Sequence, residues 1–310
     1  MPSLRLSLYL LGALLPLLFL FCSNGSAPQE TRWPTEVHYN LNQPDTVLLL
    51  QWDLQEISGL STLSGAADLL AAVNDEEGKI FLLDKTSGRI RSHFEFWKDG
   101  DYEGIEWVGD TAFVVKSTGT VYEVRHPGTD STKTIKFNGF LDRSFDVEGL
   151  GYDAQNHQLL LACKGAGGDA DSLRLKKAIY AFDLQRRKFL PHPRYVISLE
   201  EVHRYLGSSN LEEELDRLLE FFDPGSSELS LSPSAIAVHP LSRNLYILSS
   251  AGKLLTILSP QGKILHIQRM KKKVHPQPEG LCFDPDGTLY IANEGKGVGK
   301  GTLLRFSPRF

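Results

Sequence analysis

The chain has 310 residues, 41% hydrophobic and 23% charged, which is enough apolar content for one large folded domain and excludes a disordered chain. Its formal net charge is −5, and its basic residues are scattered apart from Lys271-Lys272-Lys273. No basic face for nucleic acid is expected, and that short run reads as a solvated loop.

The first element is a leader. In residues 1–22 one basic residue, Arg5, precedes an apolar run from Leu6 to Phe21, and Ser23-Asn24-Gly25-Ser26-Ala27-Pro28 follows. The run is short for a spanning helix and suits an export signal. Two processing routes fit. Cys22 stands where a bacterial lipoprotein carries its lipid, although Phe21 occupies a place usually held by a small residue. Gly25 and Ala27 suit ordinary cleavage after Ala27 instead. An uncleaved anchor is the third route. Each leaves residues 23–44 as a tether and a domain at 45–310 outside the cytoplasm, in the bacterial cell envelope, membrane-tethered or periplasmic.

One phrase then recurs five times: Ile57-Ser58-Gly59-Leu60, Tyr102-Glu103-Gly104-Ile105, Val147-Glu148-Gly149-Leu150, Pro233-Ser234-Ala235-Ile236 and Pro278-Glu279-Gly280-Leu281. Its small residue falls at 59, 104, 149, 235 and 280, at intervals of 45 residues with one of 86. After each phrase come a turn, an apolar strand such as Leu289-Tyr290-Ile291-Ala292, a third strand such as Gly119-Thr120-Val121-Tyr122, and a more exposed fourth. Four strands in each repeat of about 40–45 residues predict an all-β, five-bladed β-propeller. The last repeat runs out of chain before its fourth strand. Asp45 to Trp52, strand-like and unassigned, is expected to supply it and to close the ring.

The long interval contains a helical insertion at 198–230. Ser198 and Glu201 form a capping box, and a second helix is expected from about Asn210 with Leu211, Leu215, Leu218, Leu219 and Phe222 on one face. Asp223-Pro224-Gly225 ends it. The insertion is read as a pack of helices on the propeller rim, with a partner-docking or channel-covering element as the alternative. Cys163 and Cys282 lie in apolar strands and read as core thiols, with a disulfide between them as the alternative.

In a propeller the innermost strands line a central channel. The repeated phrase therefore brings Glu103, Glu148 and Glu279 to one space, with Ser58 and Ser234 at the equivalent places and Glu56, Asp101 and Asp146 two residues upstream. The residues ending the second strands, Asn74, Lys116, Lys164, Ser249 and Asn293, are expected to approach the same space. Like charges held together need compensation. Lys116 and Lys164 can supply it as channel ion pairs. The alternative is a hard divalent cation, calcium, held by Glu103, Glu148, Glu279, Asn74 and Asn293, since an all-oxygen set suits calcium and lacks the His and Cys of zinc or copper sites.

Those Glu-Gly-Leu phrases, the stretch Val73-Asn74-Asp75-Glu76-Glu77-Gly78-Lys79-Ile80 and the closing run from Pro278 to Glu294 resemble the bacterial SdiA-regulated family over roughly Trp52 to Phe310. Related NHL-repeat propellers share some of these elements. The resemblance implies a five-bladed propeller, a bound calcium, an envelope location and no established activity. The insertion is where this chain is expected to depart from shorter relatives.

The function expected is a calcium-binding scaffold or recognition module in the envelope. It would be a monomer, tethered to the membrane through its N-terminus, taking a protein or small-molecule ligand at the channel mouth or the insertion and binding no nucleic acid. A calcium-dependent lactonase or esterase of the gluconolactonase-like kind is the alternative. It would draw its base from Asp75, Glu76 or Glu294, since no Gly-x-Ser-x-Gly elbow is present and the histidines are dispersed. No catalytic residue is assigned.

Overall fold

A computed structural model describes residues 39–166, 174–209, 214–297 and 299–309, all within one compact unit, Pro34–Phe310. The leader, Cys22, Leu211 and the tether up to residue 38 lie outside the described residues.

Five antiparallel sheets form the five blades. The first holds β2 (Ile57–Thr62), β3 (Leu69–Asn74), β4 (Lys79–Asp84) and β5 (Ile90–Glu95), and the second β6 (Tyr102–Val108), β7 (Thr111–Lys116), β8 (Val121–Arg125) and β9 (Lys133–Phe137). The fourth holds β15 (Pro233–Val238), β16 (Leu245–Ser249), β17 (Leu254–Leu258) and β18 (Ile264–Arg269). In the fifth, β19 (Pro278–Phe283), β20 (Leu289–Asn293) and β21 (Thr302–Phe306) are completed by β1 (Thr46–Leu49), paired from Thr46 opposite Arg305 to Leu49 opposite Thr302. The N-terminal segment thus closes the ring as expected, giving the outer edge of β21 a partner.

The third blade departs from the pattern. After β10 (Val147–Asp153), β11 (Gln158–Cys163) and β12 (Lys176–Asp183), its outer strand is split into β13 (Lys188–Phe189) and β14 (Tyr195–Ser198), both paired to β12. The chain then enters the insertion as α1 (Leu199–Ser208) and α2 (Leu215–Phe221). Ser198 caps α1 through the Glu201 amide, and the Glu201 carboxylate accepts from the Ser198 amide, so both halves of the expected capping box are present.

Each seam between adjacent blades holds its own apolar core. The insertion joins the seam of the third and fourth blades, burying Leu199, Val202, Leu206, Leu218, Phe222, Leu229 and Leu231 beside Ile179 and Ile247. That favours the rim-packing reading. Leu219, placed on the buried face by helical spacing, is instead exposed, because α2 is only two turns long and rests on the seam through Leu218 and Phe222. Cys163 and Cys282 are buried free thiols, as the core reading expects.

The small residue of the repeated phrase is where neighbouring inner strands touch around the axis. A Cβ on Gly59 would lie 2.8 Å from the Gly104 Cα, and one on Gly104 would lie 2.8 Å from the Leu150 Cβ. Neither position has room for a side chain without pushing two blades apart.

Candidate metal centre at the acidic mouth of the channel

Every inner strand carries a register shift at the repeated phrase. Ile57 pairs with Asn74 and Gly59 with Val73, leaving Ser58 as an extra residue. Glu103, Glu148, Ser234 and Glu279 are the extra residues of the other blades. A bulge of this kind bends the strand and re-aims one side chain. Repeated around the ring, it brings Ser58, Glu103, Glu148 and Glu279 to one end of the channel, while Ser234 donates to the Pro278 carbonyl of the next blade.

The same pairing corrects the second ring of residues. Asn74, Lys116, Ser249 and Asn293 end their strands opposite Ile57, Tyr102, Pro233 and Pro278, which precede the bulge. The residues facing the axis are one position later: Asp75, Lys164, Ser250 and Glu294 line the cavity there. In the third blade Cys163 takes the opposed place, and this is why Lys164 reaches the channel while Lys116 does not.

Asn74 lies outside the cavity lining. Its Oδ1 accepts the Glu77 amide at 2.8 Å and its Nδ2 donates to the Asp53 carbonyl at 2.9 Å, so it holds the turn after β3. Asn293 is fully buried beside Thr302, outside the cavity lining. Lys116 carries its ammonium over the Tyr102 ring, 5.7 Å from the centroid, and does not neutralise the glutamates. Lys164 does so, with its Nζ 3.0 Å from Glu148 Oε1 and 3.5 Å from Asp146 Oδ2.

The glutamates do meet. Glu103, Glu148 and Glu279 line one cavity of about 250 Å³ together with Glu56, Asp75 and Glu294. Lys164 is the one cationic side chain among its described lining residues. Burial pushes the Glu103 carboxyl up to about 10, and the charges of Glu148 and Asp101 add to the effect. Burial, then Glu148 and Glu294, push Glu279 up to about 8. Asp75 is raised to about 6 by burial and by Glu56 and Glu294, and its Oδ1 is buried without a hydrogen-bond partner. Glu148 is also raised by burial, with the Lys164 ammonium opposing the shift.

Among the described residues, no three His, Cys, Asp or Glu side chains are drawn together as a ready-made metal cluster. The carboxyls share one space and stand apart within it, as like charges must. The donors are all oxygen and over-supplied with negative charge, and one oxygen is buried without a partner, a set that fits a hard divalent cation better than a soft one. Asp75, Glu294, Glu56, Ser250 and Gln277 join the expected glutamates in the lining. The signal for this second ring was in the repeat itself, at the position after each second strand, but only the bulge makes that position face inward.

Fold and site define a five-bladed propeller with a carboxyl-rich mouth at one end of its channel. Residues 193–296 match the family model described as SdiA-regulated, about a third of the chain. The matched stretch runs from β14 through the insertion and the fourth blade into the fifth, and it includes Glu279 and Glu294. No curated protein sequence matches the chain. Among solved structures, glutaminyl cyclase from Myxococcus xanthus is similar at a TM-score of 0.54 and 10% identity, over 86% of this chain and 95% of that one. A luciferin-regenerating enzyme is similar at 0.47 and 14% identity, over 81% and 77%. At such identities the likeness is one of fold alone.

Proposed function

We propose that the acidic mouth binds a calcium ion and that the chain is a calcium-dependent binding or scaffold module of the bacterial cell envelope. The observation that carries this reading is the excess of carboxyls over cations in one enclosed space. Glu103 and Glu279 are held far above their ordinary range by burial and by neighbouring carboxyls; Lys164 pairs directly with Glu148, and it and Lys253 oppose the shift of Glu279 only in part. A divalent cation would relieve that repulsion, with Glu103, Glu148 and Glu279 as its anionic ligands and Asp75 and Glu294 as the nearest further carboxyls. The envelope location rests on the leader, and attachment to the membrane on Cys22. Mass spectrometry of the mature N-terminus tests both.

The central test is calcium titration by calorimetry on the full chain, with the metal content measured by elemental analysis. Stoichiometric binding that Glu148→Gln and Glu279→Gln each abolish is expected. Absence of binding would return the glutamates to an ion-pair network around Lys164.

A second reading is favoured by Asp75. A carboxyl raised to about 6, with one oxygen free of partners, can take a proton from an attacking water near neutral pH, and it stands outside the ring of bulge glutamates. Hydrolysis of a lactone or ester with Asp75 as base is that reading. It predicts EDTA-sensitive turnover that Asp75→Asn removes while calcium binding persists.

A further inference from the structure

The channel has a second end with different chemistry. Three positions beyond each bulge residue the inner strands present Ser61, Glu106, Gly151, Ala237 and Cys282, a ring of small side chains interrupted by one carboxyl. At about 3.3 Å per residue, this ring lies roughly 10 Å along the axis from the acidic mouth. Glu106 spans it. Its Oε1 accepts the Tyr152 amide of the third blade at 3.1 Å, and its Oε2 is 3.0 Å from Ser61 Oγ of the first. Ser61 Oγ also accepts the Trp107 amide at 3.0 Å. One carboxyl thereby ties three blades together and floors the opening above it.

That opening is a cavity of about 630 Å³ running from the neck of the channel into the seam between the third and fourth blades. Its volume is in the range of small-molecule sites. Trp107, Tyr152, Tyr195 and Phe283 supply aromatic wall, and Arg194 and Arg243 stand at the exposed rim. The Arg194 guanidinium is stacked on the Tyr195 ring at 4.7 Å, and Arg243 is held by the Gln155 side-chain oxygen, so both are placed by neighbours that leave donors to spare.

The other polar groups of the wall are already engaged. Asp153 accepts the Gln155 and Asn156 amides at 3.1 and 3.2 Å. His239 accepts the Leu241 and Ser242 amides at Nδ1 and meets the Tyr39 hydroxyl at Nε2, and burial lowers its pKa to about 4, so it is neutral and unavailable as a base. The uncommitted charge at the rim is positive. At the floor, both Glu106 oxygens are acceptors, from the Tyr152 amide and the Ser61 hydroxyl, and burial raises its pKa to about 8. Aromatic walls, a cationic rim and a single carboxyl at the floor describe the shape of one ligand class.

We propose that this mouth is a second binding site, separate from the acidic one, for a small aromatic carboxylate. The carboxylate would pair with Arg194 and Arg243, the ring would lie among Trp107, Tyr152, Tyr195 and Phe283, and the inner polar edge would meet Glu106. The proposal does not depend on calcium at the other end.

The test uses the full chain and three probes of similar shape: indole-3-acetate, its neutral amide indole-3-acetamide, and the cation tryptamine. Calorimetry is expected to show that the acetate binds, that the amide binds about tenfold more weakly, and that tryptamine binds least. Arg194→Ala and Arg243→Ala change exposed residues and should keep the melting temperature while each weakens the acetate about tenfold. Lys133→Ala, at an exposed lysine of the outer strand β9 outside both cavities, should leave acetate binding unchanged. Equal binding of acetate and amide, a preference for tryptamine, unchanged affinity in the double arginine variant, or no binding of the acetate at low millimolar concentration would each overturn the proposal.

Discussion

The two ends of the channel are built from the same five strands and differ in almost every chemical respect. At one end the bulges collect Glu103, Glu148 and Glu279 into a small cavity short of cations. At the other, the same strands carry a single glutamate inside a ring of small residues, beneath aromatic side chains and two arginines. The difference lies in how each carboxyl is satisfied. Glu106 accepts from a backbone N–H and a serine hydroxyl, which favour its charge against the burial that opposes it. The bulge glutamates face one another, so the first end is dominated by repulsion and the second by hydrogen bonding. One propeller ring thus carries two chemically different ends at a distance set by strand length.

The comparison can be broken most directly with calcium. If the acidic mouth is a cation site, saturation at a hundred times Kd should stabilise the protein by about 2.7 kcal/mol, a rise in Tm on the order of 5–10 °C for a domain of this size. Glu279→Gln should erase that rise. An equal rise in Glu279→Gln would place the ion elsewhere.

A Cβ at the contact between blades should be felt at both ends together. Gly104→Ala would set a methyl 2.8 Å from the Leu150 backbone nitrogen and is expected to cost about 1–3 kcal/mol, read by denaturant unfolding. A neutral outcome would mean the inner strands are not in tight contact.

The pH dependence separates the ends further. Glu103 and Glu279 have folded pKa values of about 10 and about 8 against an ordinary 4.5, so between those limits the unfolded chain binds fewer protons than the folded one. Stability of the metal-free protein should therefore be greatest below about pH 4.5 as far as these groups decide it, and should be lost as pH rises through about 8 and then about 10. Calcium affinity should rise over the same interval, because ligation displaces those protons. A melting curve unchanged from pH 5 to pH 9 in EDTA would contradict the crowding of the acidic mouth.

The smallest expected effect concerns the asparagines. Asn74→Ala should leave calcium affinity unchanged and cost about 1 kcal/mol through the lost turn hydrogen bonds. A large loss of affinity would restore Asn74 to the ligand set.

Much of the acidic end was legible in the chain because repetition is a statement about geometry. Once five equivalent phrases are found, Glu103, Glu148 and Glu279 must occupy equivalent places around an axis. Asn74, Asn293 and Lys116 lie outside the cavity lining for a specific reason. Alternation along a strand gives the facing of a residue only when the register is regular, and each inner strand has an unpaired residue at the repeated phrase. Lys164 was placed in the channel because it lies one residue beyond its strand's end, where the bulge directs side chains inward. The aromatic mouth was not legible at all. Its members come from inner strands of different blades, the split outer strand of the third blade and a turn of the fourth, and they form no repeating pattern.

Sequence alone determined the blade count, the closing strand, the capping box at Ser198 and the convergence of the three glutamates, because each follows from periodicity or from contacts a few residues apart. Tertiary structure alone decided which side chains beyond the bulge face the axis, which lysine meets a glutamate, and how the arginines and aromatics gather at the far mouth. Those depend on strand register and on the packing of one blade against the next, and neither is written into any single stretch of the chain.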